Sequence, residues 1–240
     1  VIDIVDIEVY NLRFFTKHIH SPHYFGWRSF LKTGDLFGLQ YIYGTLTRSD
    51  GEDPLDYAAI MKNPTRYEAV VTNALTGQAE YFGKEMLHQD DYRLLMASSA
   101  IPAVCRPVLL QGILYYDGGL SDAIPVKRAL SQGCDRLVVI LSKNRDYRRK
   151  PQKFRFLYSR FCRKYPKVVQ AIDHRHESYN QNLQEVRALE QEGRAFVFAP
   201  SAPVRMSTYS MEERSALELY RLGKRDFAAA RQSMKEFLES

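Results

Sequence analysis

The fold of this chain is decided by residues 97–126, which read ASSAIPAVCRPVLLQGILYYDGGLSDAIPV. At the centre of this stretch, Ile113–Tyr116 is a short apolar segment that predicts a strand, and Asp117 follows it directly. Open α/β sheets place their active sites at the carboxyl ends of their strands, which is the position of this aspartate. Gly118 and Gly119 then let the backbone turn sharply and leave room beside the carboxylate.

The D-G-G tripeptide has a second interpretation that involves no chemistry. Asp-Gly is a frequent turn dipeptide, so the tripeptide taken alone favours a strand-ending turn in which the aspartate is solvated. The choice between a functional and a solvated Asp117 therefore depends on the surrounding sequence.

Outward from this stretch, apolar segments rich in β-branched residues alternate with segments of helical periodicity. The predicted strands are Glu68–Ala74, Glu80–Phe82, Ile113–Tyr116, Arg136–Leu141 and Ala195–Phe198. The predicted helices are Val1–His18, Tyr92–Ser99, Val126–Gln132, His174–Glu192 and Met211–Leu238, with a long excursion of short helices between His20 and Asp56. Strands that alternate with helices predict an α/β domain with a mostly parallel sheet.

Residues 97–126 resemble the second signature block of the patatin-like phospholipases. In that family an A-S-x-A-x-P stretch precedes a strand, a D-G-G or D-G-A motif and a short turn that opens a helix, and this chain has each of these parts. The resemblance continues at Phe25–Phe37, Val71–Gly77 and Leu219–Gly223. It implies a three-layer α/β/α fold with a mostly parallel central sheet, and it favours a functional Asp117.

The resemblance also implies a mechanism. In the family, a serine in a G-x-S-x-G elbow attacks an ester carbonyl, and the D-G-G aspartate takes the proton of that serine without a histidine between them. A glycine-rich loop donates backbone N–H groups to the oxyanion. By this match Asp117 is the proton acceptor, and Gly118 and Gly119 complete its motif. A lipid or another ester is the implied substrate, and no metal or cofactor is implied.

The chain departs from the family pattern at the nucleophile. Its 240 residues contain neither a G-x-S-x-G nor a G-G-G-x-[KR]-G motif. We expect the serine, with the first strand and the elbow, to precede Val1, and the 240 residues alone to be inactive. The other interpretation is a protein that lost its nucleophile and keeps a binding role. Ser98 and Ser99 lack the flanking glycines of an elbow, and Ser121 is expected to face away from the attack, so all three are predicted to be structural.

Residues 143–167 form a basic segment, with eleven lysines and arginines against Asp146 alone. Within it, aromatic and apolar residues fall at helical spacing: Phe154, Leu157, Tyr158, Phe161 and Tyr165. One interpretation is a helix that lies on an anionic membrane surface, which is also the basis of the alternative function, a non-catalytic lipid-surface binding protein. The other is an ordinary helix that packs its aromatic face on the core. No motif supports binding to nucleic acid.

Length and composition predict a single domain over residues 1–240, in which residues 143–240 supply the basic helix, the last strand and the terminal helices. Three cysteines without a C-x-x-C pair predict a reducing compartment, and the spacing of the six histidines favours local bonding over a metal site. No run of about 18 apolar residues predicts a membrane span. We therefore expect a cytoplasmic protein, with peripheral attachment to membranes under the first interpretation of the basic segment, and the oligomeric state stays open.

Overall fold

The structure is a computed structural model of the chain, and it describes residues 17–18, 21–26, 30, 34–203 and 213–240. The helix predicted at Val1–His18, apart from its last two residues, lies outside the described part. So does the beginning of the helix predicted at Met211–Leu238.

Helices and strands both occur throughout the described residues, which confirms the α/β class. The helices are α1 (Leu39–Tyr41), α2 (Tyr57–Lys62), α3 (Arg93–Ser98), α4 (Val126–Ser131), α5 (Arg155–Phe161), α6 (Pro166–Gln191) and α7 (Glu213–Glu239). The strands are β1 (Glu68–Asn73), β2 (Ala79–Gly83), β3 (Val108–Leu110), β4 (Ile113–Asp117), β5 (Leu137–Ile140) and β6 (Ala195–Phe198). No helix of this part of the chain is long and apolar enough to cross a membrane.

The described residues divide into two compact units. The first takes residues 21–26, 30, 34–123 and 150–178, and the second takes residues 17–18, 124–149, 179–203 and 213–240. The D-G-G tripeptide belongs to the first unit. The single domain expected for residues 1–240 stays a prediction.

A four-stranded sheet of order β2-β1-β4-β3 forms the first unit, and all of its neighbouring strands are antiparallel. The mostly parallel sheet expected from the sequence is therefore wrong for these strands. The alternation of strands and helices suggested crossover connections, but two of the three pairings are made by hairpins.

Both hairpins have clear local causes. Gly77, at a φ of 71°, lies in the turn between β1 and β2, and its amide donates to the carbonyl of Asn73 at 2.8 Å. Between β3 and β4 only Gln111 and Gly112 intervene, and both have positive φ, as a two-residue hairpin loop requires. The sequence does not single out β3, because Val108–Leu110 is only three residues long and follows a proline.

The core of the first unit lies between this sheet and α3. Val71 in β1 and Leu94 in α3 are fully buried, and burial of each such side chain contributes about 1.5–3 kcal/mol. Tyr115 in β4 packs edge-on against Phe82 in β2, with ring centroids 5.5 Å apart. This packing holds β1 beside β4, and it thereby fixes the end of β4 where Asp117 lies.

The second unit contains the parallel pair β5 and β6, in which Leu137 lies opposite Ala195 and Ile140 opposite Phe198. Both strands were predicted from their apolar, β-branched and aromatic residues. Helix α7 packs along β6, where the rings of Phe198 and Phe227 are 5.6 Å apart.

Candidate active site

Asp117 is the last residue of β4, and its backbone is held on both sides. It pairs with Val71 across the sheet, and its amide donates to the carbonyl of Ala100 at 2.9 Å. Its own carbonyl accepts a hydrogen bond from the Thr72 hydroxyl at 2.8 Å. Thr72 is fully buried, so this bond lies in the interior. Backbone movement at Asp117 would therefore break hydrogen bonds to β1 and to the segment that follows α3.

The carboxylate of Asp117 caps the turn that follows it. Its Oδ1 accepts the backbone N–H of Gly119 at 2.8 Å, at the start of a single 3-10 turn over Gly118–Leu120. A backbone donor on one oxygen fixes the orientation of the carboxylate and favours its ionised form. Asp117 therefore ends the strand as predicted, and its partly buried side chain is held by a hydrogen bond.

The two glycines of the motif have neighbouring atoms so close that they leave little or no space for a side chain. A Cβ on Gly118 would lie 2.2 Å from the carbonyl oxygen of Val70, inside any allowed contact. A Cβ on Gly119 would lie 3.3 Å from Oδ1 of Asp117 and 3.4 Å from Nη2 of Arg175. Neither glycine has a positive φ, so the sharp turn expected from the sequence does not depend on a left-handed backbone here.

The negative charge of Asp117 raises the pKa of two titratable side chains in the first unit. Burial raises the pKa of Tyr43, and the Asp117 carboxylate adds to this although a hydrogen bond with Ser99 acts in the opposite direction. Burial also raises the pKa of Cys105 to about 12, with smaller contributions from Asp35 and Asp117. Both groups are therefore neutral at physiological pH, and the carboxylate lies beside a largely desolvated region.

The three serines near the motif are each bound locally. Ser98 donates to the carbonyl of Val70 at 2.8 Å, and Ser99 lies 3.0 Å from the hydroxyl of Tyr43. Ser121 lies 2.8 Å from the hydroxyl of Thr72. These contacts support the prediction that their hydroxyls are structural.

Arg175 contacts the turn that follows Asp117, and the sequence did not suggest this contact. It lies in α6, and its Nε donates to the carbonyl oxygen of Gly119 at 2.8 Å. The same part of the chain also contacts β4 through Tyr165, whose ring packs edge-on against Tyr116 at 5.9 Å. No local pattern could have shown this contact, because 56 residues separate Gly119 from Arg175.

The basic segment divides its aromatic residues between the interior and the surface. Tyr158 in α5 is buried and donates a hydrogen bond to Asp173 at 2.6 Å, as the core-packing interpretation expects. In contrast, Phe154, Phe156 and Phe161 are 67%, 70% and 59% exposed. Core packing therefore holds for Tyr158 but not for Phe154 and Phe161, which lie on the surface. The helix expected across the basic segment is also shorter than predicted, because α5 covers only Arg155–Phe161 and leaves Phe154 and Tyr165 outside it.

Histidines form no metal site in the residues that the structure describes. No group of three or more His, Cys, Asp or Glu side chains there has the arrangement to hold a metal ion. His174 instead lies 3.0 Å from Glu177, one helical turn away, and His20 lies outside the described residues.

Two family models match the chain, and one of them covers the unit that contains Asp117. Residues 4–130 match the model of the family described as patatin-like phospholipase. This match covers more than half of the 240 residues, and the chain belongs to the patatin-like phospholipase family. Residues 165–239 match a second model, described as a domain of unknown function (DUF6363). Leu219–Gly223 lies in this second match.

A curated relative is similar to part of the chain. It is the uncharacterized protein YjjU of Escherichia coli (strain K12), which is 34% identical over 134 residues. The matched region is 55% of this chain and 37% of the relative, so the similarity spans little more than a third of the length of YjjU.

Proposed function

We propose that this protein is a serine acyl hydrolase that cleaves carboxylic esters of lipids, with Asp117 as the general base. The observation that carries the proposal is the Asp117 carboxylate, which is partly buried and oriented by the N–H of Gly119 at 2.8 Å. Membership of the patatin-like phospholipase family supports a lipid substrate class. The nucleophilic serine and the oxyanion donors would come from polypeptide outside these 240 residues, since no G-x-S-x-G occurs among them.

In the proposed reaction, Asp117 takes the serine proton while the serine oxygen bonds to the ester carbonyl carbon. The tetrahedral intermediate then collapses, its C–O bond to the alcohol breaks, and the departing oxygen receives the proton from Asp117. Water next gives a proton to Asp117 as it attacks the acyl-serine, and the serine recovers that proton when the acid leaves. One carboxylate moves the proton in both steps, so this reaction needs a correctly positioned Asp117 and no histidine.

The surroundings of Asp117 suit a base of this kind. Burial near the neutral side chains of Tyr43 and Cys105 makes the region around the carboxylate less polar than water. Desolvation strengthens a carboxylate as a base, and a hydrogen bond of the kind that Gly119 donates favours the ionised form that acts as the base.

The test is hydrolysis of a short-chain aryl ester by the full-length protein, with and without Asp117→Asn. We expect this substitution to abolish turnover while the circular dichroism spectrum is unchanged. The matched control is Asp56→Asn, because Asp56 is an exposed helix cap whose role asparagine fills equally well. Activity of Asp117→Asn within tenfold of the wild-type protein would remove Asp117 from the mechanism. The 240-residue chain alone is expected to show no turnover.

A second candidate function is supported by the exposed aromatic residues. Phe154, Phe156 and Phe161 lie among the exposed cations of the basic segment, and an apolar side chain with neighbouring positive charge suits an anionic membrane surface. We propose this surface as the membrane-binding site of the protein, either alone, as a non-catalytic lipid-surface protein, or together with the hydrolase.

Vesicle sedimentation separates these possibilities. We expect binding to vesicles that contain phosphatidylserine, weaker binding at high salt, and loss of binding in the double variant Phe156→Ser, Phe161→Ser. Leu75→Ser is the control, because Leu75 is equally exposed but lies in the turn after β1. Equal recovery with neutral vesicles would contradict the proposed surface. Ester hydrolysis by the full-length protein decides whether the binding role stands alone.

A further inference from the structure

We infer that Arg175 is a positioning residue for Asp117, supplied by the region that matches a domain of unknown function. The inference rests on the proposed function, in which Asp117 is the general base. It gives the C-terminal match a role in the active site, because Arg175 lies in residues 165–239 and outside residues 4–130.

Gly119 connects the two side chains. Its N–H donates to Oδ1 of Asp117 and its carbonyl oxygen accepts from Nε of Arg175, each at 2.8 Å. The glycine is therefore held at both ends, and the carboxylate is held through it. If the guanidinium were removed, the carbonyl of Gly119 would lose its donor, and the turn that orients the carboxylate would lose its contact with α6.

The guanidinium also places a positive charge beside the carboxylate. Nη2 of Arg175 and Oδ1 of Asp117 both lie within 3.4 Å of the point that a Cβ on Gly119 would occupy. The two atoms therefore lie less than about 7 Å apart, and a positive charge at this range favours the ionised carboxylate and keeps it a base at lower pH. Tyr43 and Cys105 also face this carboxylate, but both stay protonated and neutral in this range.

The position of Arg175 on α6 is unusual for an arginine. Val168, Ile172 and Tyr179 lie one or two helical turns from it on the same face of the helix, and all three are buried. A charged side chain on an apolar helical face is costly unless it is hydrogen-bonded, and Arg175 is bonded to the turn that contains Asp117. An apolar residue would suit the packing of this face better, so the arginine is explained by its contact with the turn.

The experiment measures kcat and KM of the full-length protein over a range of pH, for Arg175→Ala and Arg175→Lys. We expect Arg175→Ala to lower kcat by about 10²-fold with little change in KM, since a small displacement of a catalytic group has an effect of this size. The acid limb of the kcat/KM profile should move to higher pH, because the positive charge is gone. Arg175→Lys should restore the acid limb, because it restores the charge, and recover part of kcat.

Controls keep this result separate from the proposed function itself. Arg231→Ala removes an exposed arginine of α7 and should match the wild-type protein. If the wild-type protein hydrolyses esters and Asp117→Asn does not, an unchanged kcat and acid limb in Arg175→Ala overturns the inference alone. If Arg175→Ala does not fold, the test rests on Arg175→Lys, which keeps the charge but not the guanidinium. A wild-type kcat in Arg175→Lys, with a wild-type pH profile, would then overturn the inference. An active Asp117→Asn removes the proposed function and this inference with it.

Discussion

Gly118 and Val70 lie so close together that position 118 has no space for a side chain. A Cβ there would sit 2.2 Å from the carbonyl oxygen of Val70 and 2.6 Å from its Cβ. The turn after Asp117 is thus packed closely against β1, and this contact adds to the hydrogen bonds that position the carboxylate.

Gly118→Ala should therefore destabilise the protein by about 1–3 kcal/mol or more, because the turn must move away from β1. Its hydrolase activity should fall with it. Gly223→Ala is the control, since a Cβ on this residue of α7 meets nothing within 4 Å. In a helix that change should stabilise by about 0.5–1 kcal/mol. Urea denaturation measures both, and equal effects of the two substitutions would contradict the close contact.

The three cysteines should differ in their reactivity. Cys134 is exposed, whereas Cys105 and Cys162 are buried, and burial raises the pKa of both buried thiols, that of Cys105 to about 12. Because the thiolate is the reactive form, brief treatment with iodoacetamide at about pH 8 should modify Cys134 and leave the other two intact. Peptide mapping by mass spectrometry reads this out. Modification of Cys105 as fast as Cys134 would contradict the described packing.

The carboxylate of Asp173 should contribute a stability that acid removes. Burial alone would raise its pKa, but hydrogen bonds from Arg155 and Tyr158 outweigh burial and lower it. Because the folded-state pKa is the lower one, the contribution is complete above the unfolded pKa of about 4 and is lost as pH falls through the folded pKa.

Asp173→Asn is accordingly expected to be less stable than the wild-type protein at about pH 7, by roughly 0.2–1 kcal/mol, since Arg155 is largely exposed. At an acid pH below the folded-state pKa of Asp173, the two proteins should be equally stable. Urea denaturation at both pH values gives the difference, and Asp146→Asn serves as an exposed control. A difference that persists unchanged in acid would refute the assignment.

The sequence predicted the strand and the turn around Asp117 better than the pairing of the strands in the sheet. The strand before Asp117, the two glycines and the structural serines are all visible locally, as apolar runs and a turn motif. The antiparallel order was missed, because it depends on how hairpins pair strands, and the loop of Gln111 and Gly112 is too short to stand out.

Contacts over long sequence distances were also beyond prediction. Arg175 is one of many arginines in the chain, and only the packing of α6 brings it to Gly119. In the basic segment, the helical periodicity corresponds to a helix only over Arg155–Phe161, and it did not reveal that Tyr158 is buried while Phe161 stays on the surface. Which side of a helix is buried depends on the neighbouring elements, and a single amphipathic helix does not specify them.

The central claim is that Asp117 activates a serine, and covalent labelling of that serine tests it most directly. A fluorophosphonate probe reacts with a serine only when its hydroxyl is activated as a nucleophile. We expect the full-length protein to be labelled at one serine in a G-x-S-x-G sequence, and Asp117→Asn to be labelled at least about a hundredfold more slowly. Equal labelling rates in the two proteins, or no labelled serine at all, would contradict the account.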